Sequence, residues 1–180
     1  MPIYENVQTM SYYPNPELKA RELFKGLKFE SILDVGAGHG GVFDLDFWER
    51  NNTKRKEACD IHWIRPMPEG WITKIGVNVL ELDKHYNENE FDFVQCMETL
   101  EHVPNSKIAL EQLKRVAKKA VFITSADETH HEGEEQAAIE KINKYQAYIE
   151  QPKIQDLLDL GFEVRVEETH KRQIIAWLIK

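Results

Sequence analysis

Apolar residues along this 180-residue chain fall into short continuous runs, separated by segments whose apolar positions recur at helical spacing. Runs at about Ser31 to Val35, Glu57 to Ile61, Ile72 to Val79, Phe91 to Cys96 and Ala120 to Thr124 read as strands. The fourth is apolar almost without a break, the mark of a strand covered on both faces. Helices are expected over about Glu17 to Leu27, where Leu18, Leu23 and Leu27 are in step, and over Val42 to Arg50. Further helices should run from Pro104-Asn105-Ser106 through about Ala117, over a Glu-rich stretch from Glu132 to Ile149, and from Ile154 to Leu160, capped by Gly161. Phe162 to Val166 and Ile174 to Ile179 close the chain as an expected antiparallel pair at one end of the sheet. Strands alternating with helices predict an α/β doubly wound sheet of seven strands, mostly parallel with an antiparallel C-terminal strand. Two connections are lean. His62 to Gly70 contains Pro66 and Pro68, and Asp83 to Glu90 is shorter than an ordinary crossover, so loops should replace some crossover helices.

The most informative stretch is Asp34-Val35-Gly36-Ala37-Gly38-His39-Gly40, between a strand and a helix. Gly36 and Gly38 let the backbone turn tightly and approach a ligand where a Cβ would collide, and Gly40 lets the following helix pack close. The spacing is G-x-G-x-G, not the G-x-G-x-x-G of dinucleotide sites. Asp34 would repel a pyrophosphate and suits a cationic amino group.

Here the chain resembles the class I S-adenosylmethionine-dependent methyltransferases (type 11/23-like), whose first motif has this Asp-x-Gly-x-Gly-x-Gly form and whose fold is Rossmann-like. The resemblance implies that Asp34, Gly36, Ala37, Gly38 and Gly40 border the methionine and ribose parts of S-adenosylmethionine. It places Asp60, 26 residues after Asp34, on the ribose hydroxyls, followed by Ile61; the alternative is a surface Asp. In Gly76-Val77-Asn78-Val79-Leu80 it puts the Asn78 side chain and the Val79 backbone at adenine, against the alternative of a turn Asn. Phe91-Asp92-Phe93-Val94-Gln95-Cys96-Met97-Glu98-Thr99-Leu100-Glu101-His102-Val103-Pro104 is similar to the fourth-strand signature of ubiquinone-biosynthesis O-methyltransferases. By that likeness Cys96 and Met97 flank the methionine arm, while Glu98, Glu101 and His102 surround the methyl-transfer region. The chain departs from the family before the fifth strand, where Val116-Ala117-Lys118-Lys119-Ala120 replaces Lys-Pro-Gly-Gly.

On the acceptor side, His102 is the candidate general base, since an unperturbed imidazole titrates near neutrality. It could equally orient the start of the next helix. His130 and His131 stand after the fifth strand, one of them able to enter the site or both in a solvated loop. Tyr12 and Tyr13 could form an aromatic lid or a surface staple. Glu98-x-x-Glu101-His102 with a later His also resembles the metal set of RNA 3′-end 2′-O-methyltransferases. No metal is assigned, because metal-free relatives share those letters. A non-catalytic S-adenosylmethionine-binding protein is the other alternative.

Composition narrows this only slightly. With 42% hydrophobic and 30% charged residues the chain has ordinary globular balance, enough for one domain with its own core. A net charge of −8 argues against an extended basic groove for nucleic acid, and the Lys54-Arg55-Lys56 run reads as a solvated loop. Cys59 and Cys96 lie at strand ends without metal spacing, which suits reduced core thiols in a cytoplasmic protein. Neither a signal peptide nor a membrane-spanning run is expected. The expected partner is a small-molecule or glycan-type acceptor, with no membrane.

Overall fold

A computed structural model of the chain describes residues 7–10, 20, 22–38, 53–62, 64, 66–126, 152–167 and 173–180. Eight strands, β1 (Val7–Met10), β2 (Ser31–Val35), β3 (Arg55–Asp60), β4 (Trp71–Ile75), β5 (Phe91–Met97), β6 (Ala117–Ala126), β7 (Glu163–Glu167) and β8 (Gln173–Ile179), form one sheet. Their order is β1-β7-β8-β6-β5-β2-β3-β4. β2 to β8 answer the seven expected strands, and β1 adds an eighth, parallel to β7. That strand carries too little pattern of its own to be read from four residues; its partner lies far along the chain. β8 is the antiparallel strand. With β7 it makes the expected antiparallel pair towards one end of the sheet, where β1 lies outside the pair and β8 lies between β7 and β6.

The apolar strands are covered on both faces because alternate side chains feed two cores. Leu33, Val94, Cys96, Val121 and Ile123 pack with Ala109, Leu110, Leu113 and Val116 of α1 (Ser106–Val116) and Leu157 of α2 (Ile154–Asp159). Ile32, Phe93, Phe122, Ile175 and Trp177 point the other way, against Ala20, Phe24 and Phe29. Phe24 meets Phe93 and Phe122 edge-on, at 5.1 and 6.0 Å between centroids, the favoured arrangement for aromatic quadrupoles.

The lean connections are as expected. Residues 61–62, 64 and 66–70 contain no helix, and a six-residue 3-10 helix, Val79–Lys84, lies in the connection from β4 to β5. β4 ends at Ile75, short of the expected Val79, because Gly76 turns the chain at φ +85°. The Lys54-Arg55-Lys56 run is not wholly a loop: Arg55 opens β3 and pairs with Glu57 and Glu90 at 2.6 and 2.7 Å, while Lys74 meets Glu57 at 3.0 Å. Among the described residues no helix is long and apolar enough to cross a membrane.

Where the resemblance would place Lys-Pro-Gly-Gly, α1 runs straight into β6 without a loop. Val116 is the last helical residue and Ala117, at ψ 137°, the first of the strand. The register then slips: Phe91 faces Ala117 but Phe93 faces Ala120, a bulge that accommodates Lys118 and Lys119. Lys119 Nζ donates to Asp92 Oδ2 at 2.9 Å and to the Lys28 carbonyl at 3.0 Å, and the Glu30 N–H donates to the same Asp92 oxygen at 2.8 Å. Burial works to raise the Asp92 pKa, but Lys119 and the Glu30 N–H outweigh it and hold the carboxyl below its usual 3.8. A carboxyl held low stabilises the fold above its unfolded pKa, and this stability is lost as pH falls through the folded value. Asp92→Asn is therefore expected to cost about 1–2 kcal/mol at pH 7, the scale of charge-assisted hydrogen bonds, and the gap to wild type to narrow as pH falls through the lowered Asp92 pKa. Urea unfolding across an acid pH series checks this; a gap that does not change with pH refutes it.

Candidate active site

β2, β3, β4 and β5 run parallel and end along one edge of the sheet, where open α/β sheets bind ligands. The chain leaves β2 through Gly36 at φ +75°, a conformation costly for any residue with a Cβ. The N–H groups of Gly36 and Ala37 both donate to the Cys59 carbonyl, at 2.9 and 3.1 Å. One residue on, the Asp60 carbonyl accepts in the same way from Gly76 and Val77, at 2.9 and 3.1 Å. The Asp60 carboxylate accepts from the Gly38 N–H at 3.1 Å through Oδ2 and from the His62 N–H at 2.8 Å through Oδ1. Asp60 is thus partly buried and joins the turns after β2, β3 and β4, rather than standing as a surface Asp.

The other cofactor candidates distribute around this edge. Asp34 is buried, at 7% exposure, at the base of the glycine turn; Ala37 is buried, and Ile61 is 47% exposed just beyond Asp60. Asn78 takes the turn role, its Oδ1 accepting from the Leu80 N–H at 3.0 Å to cap the 3-10 helix, and Val79 is buried in that helix. Cys96 and Met97, expected to flank the methionine arm, lie at the end of β5. Cys96 is wholly buried in the core, because β5 alternates and this side chain faces α1, so only its backbone borders the edge; Met97 is partly exposed. Burial, with the negative charges of Asp34 and Asp60, pushes the Cys59 thiol up to about 12. Burial, with Glu101 and Asp34, raises Cys96 well above the usual thiol range. Both thiols are therefore protonated and unreactive near neutral pH.

The acceptor-side residues separate. Glu98 bends the chain at φ +48° and is exposed, with its Oε1 accepting from Gln173 Nε2 at 2.6 Å. Glu101, expected around the methyl-transfer region, is buried at 2% exposure, with Oε2 accepting from the Ser125 hydroxyl at 3.1 Å. A short 3-10 helix, Leu100–His102, turns the Glu101 side chain inward. His102 is partly exposed at the end of that helix, and its N–H donates to the Thr99 carbonyl at 3.0 Å. Asn105, at φ 61°, is the N-cap residue of α1. Among the described residues no three His, Cys, Asp or Glu side chains gather in a metal-binding group. Gly40, Tyr12, Tyr13, His130 and His131, and the expected helices over 42–50 and 132–149, lie outside the described residues.

Thr99 carries no motif signal, yet its side chain fills the space beside Gly36. A Cβ built on Gly36 would overlap the Thr99 hydroxyl and methyl and lie 2.8 Å from its Cβ.

Sheet order, glycine turn and the carboxylates beside it define a class: a Rossmann-like fold of the S-adenosylmethionine-dependent methyltransferase type. Residues 8–164 match the model of a methyltransferase domain, so the chain belongs to the methyltransferase domain family. It is 26% identical over 110 residues to the ubiquinone biosynthesis O-methyltransferase of Nitrosomonas europaea, covering 57% of this chain and 45% of that protein. The chain thus spans less than half the length of that relative. Its fold is similar to that of a SAM-dependent methyltransferase from Archaeoglobus fulgidus (TM-score 0.56, 16% identity, 90% of this chain and 92% of that one). It is also similar to an N-methyltransferase from Haemonchus contortus in complex with phosphomonomethylethanolamine and S-adenosylhomocysteine (TM-score 0.65, 13% identity, 93% and 52%).

Gly36→Ala is expected to destabilise the fold by about 1–3 kcal/mol, from left-handed strain plus overlap with Thr99, measured by urea unfolding. Iodoacetamide at pH 8 should leave Cys59 and Cys96 unmodified in the native chain and alkylate both in denaturant, as read by mass spectrometry. Rapid native modification of either would contradict the raised thiol pKa values.

Proposed function

We propose that the chain is a single-domain S-adenosylmethionine-dependent methyltransferase acting on an oxygen or nitrogen of a small-molecule or glycan-type acceptor. The observation that carries this is the edge itself, where a left-handed glycine turn and two carboxylates, Asp34 and Asp60, meet at the ends of β2 and β3. The donor set suits a sulfonium amino acid joined to a nucleoside. Both Asp60 oxygens are oriented by backbone N–H donors, and a carboxylate is suited to accept from ribose hydroxyls. Exposed Ile61 offers an apolar surface to a base. Asn78 uses its carbonyl in the cap, and its amide donors suit ring nitrogens. Asp34 supplies negative charge for an ammonium group.

Bound there, S-adenosylmethionine supplies an electrophilic methyl group on a good leaving group. The chain's own task is then mainly alignment and exclusion of water. His102 is the proton acceptor for an attacking hydroxyl, or for a protonated amine that must lose its proton before it attacks, and Glu98 is the exposed carboxylate nearest to it in sequence on the acceptor side. Oxygen is favoured over nitrogen because the matching curated relatives are named O-methyltransferases.

Calorimetry of the purified chain is expected to show S-adenosylhomocysteine binding in the micromolar range or tighter, weakened at least tenfold by Asp60→Ala. Labelled S-adenosylmethionine should then transfer methyl to hydroxyl- or amine-bearing small-molecule or glycan acceptors in a His102-dependent way. A folded chain that binds neither cofactor form overturns the proposal. Binding without transfer to any acceptor class favours a protein that kept the cofactor edge and lost turnover.

A further inference from the structure

On the reading that this edge holds S-adenosylmethionine, we propose that Thr99 is a positioning residue that keys the cofactor turn to the acceptor-side segment. Three features meet in this one residue. Its side chain occupies the volume that Gly36 leaves vacant, so the glycine turn is shaped by packing as well as by its own torsions. Its hydroxyl lies 2.9 Å from the Met97 carbonyl and 3.3 Å from the Gly36 carbonyl, tying the end of β5 to the turn after β2. Its own carbonyl accepts the His102 N–H at 3.0 Å. One residue therefore touches the cofactor turn through its side chain and the candidate base through its backbone.

The preceding residue explains how Thr99 gets there. Glu98, at φ +48°, takes a conformation that L-residues adopt reluctantly, and persists only where surrounding contacts hold it. Those contacts are the Glu98 N–H to the Thr124 carbonyl at 2.9 Å and Gln173 to the Glu98 carboxylate. The bend at Glu98 ends β5 and brings Thr99 back towards Gly36. Gly36 must then lack a side chain for two independent reasons: its positive φ, and the neighbour that already fills the space.

The test is a Thr99 series read by S-adenosylhomocysteine calorimetry and apo-protein melting. Thr99→Ser keeps the hydroxyl and should bind within about twofold of wild type. Thr99→Val keeps the shape and should lose about fivefold, the scale of one hydrogen bond, and Thr99→Ala, which keeps neither, should lose more. A purely structural residue would change melting without this ordering. Thr99→Gly placed on Gly36→Ala should also bind more tightly than Gly36→Ala alone, since the overlap is removed. Val and Ala variants that bind like a binding-competent wild type, or a double variant no tighter than Gly36→Ala, overturn the assignment. Should Gly36→Ala fail to fold, the Thr99 series decides alone. A wild-type chain that binds no S-adenosylhomocysteine instead overturns the cofactor reading and this proposal with it.

Discussion

Two consecutive carbonyl groups at the end of β3 hold the carboxyl edge together. Cys59 receives the paired N–H groups of the turn after β2, and Asp60 receives those of the turn after β4. Groups at strand ends have no ladder partner, and leaving them buried and unpaired would cost the full desolvation of each. The two turns satisfy one another through the strand between them. The Asp60 side chain extends the arrangement, taking Gly38 and His62. Its first duty in this structure is therefore architectural, and any hydroxyl it binds meets a carboxylate already oriented by two backbone donors.

Around β3 and β4, charge does some of what a helix does elsewhere. Arg55, Glu57, Lys74 and Glu90 interlock where the crossover from β4 has been reduced to a 3-10 turn. Arg55 also lies 4.3 Å over Phe91 and Lys74 4.5 Å over Tyr86, so the cations shield aromatic faces from water. Arg115 reaches in from α1 to the Tyr86 carbonyl at 2.6 Å. Among the described residues, long charged side chains cover part of this end of the sheet.

Much of the fold was legible in the sequence because its signals are local. Phe91 to Cys96 is apolar on both faces, Gly36 demanded a left-handed turn, and Pro66 and Pro68 forbade a helix. Long-range pairing was not legible. β1 is a strand only because β7 is beside it, and the place of β8 between β6 and β7 follows from register rather than composition. In the site, the tight turn at Gly36 and the place of Asp60 at the end of a strand were legible, since backbone chemistry dictates both. The burial of the Glu101 and Cys96 side chains was not legible, because it follows from one 3-10 turn and the two-residue period of β5. Thr99 was invisible, since a residue that fills another's missing side chain leaves no spacing pattern.

The threading of β8 between β6 and β7 has a consequence for synthesis. β7 borders β6 only through β8, and β1 borders the sheet only through β7. As the chain emerges from the ribosome, β2 to β6 can assemble in turn, but the N-terminal strand has no place to dock until Gln173–Ile179 has been made. One flank of β6 stays open meanwhile, and an unpaired apolar strand is the kind of surface that recruits other nascent chains. Closure joins residues more than 150 positions apart, so the late step belongs to the slow class of non-local pairings. Overexpressed material should accordingly be lost to aggregation on the way to the fold more readily than from it.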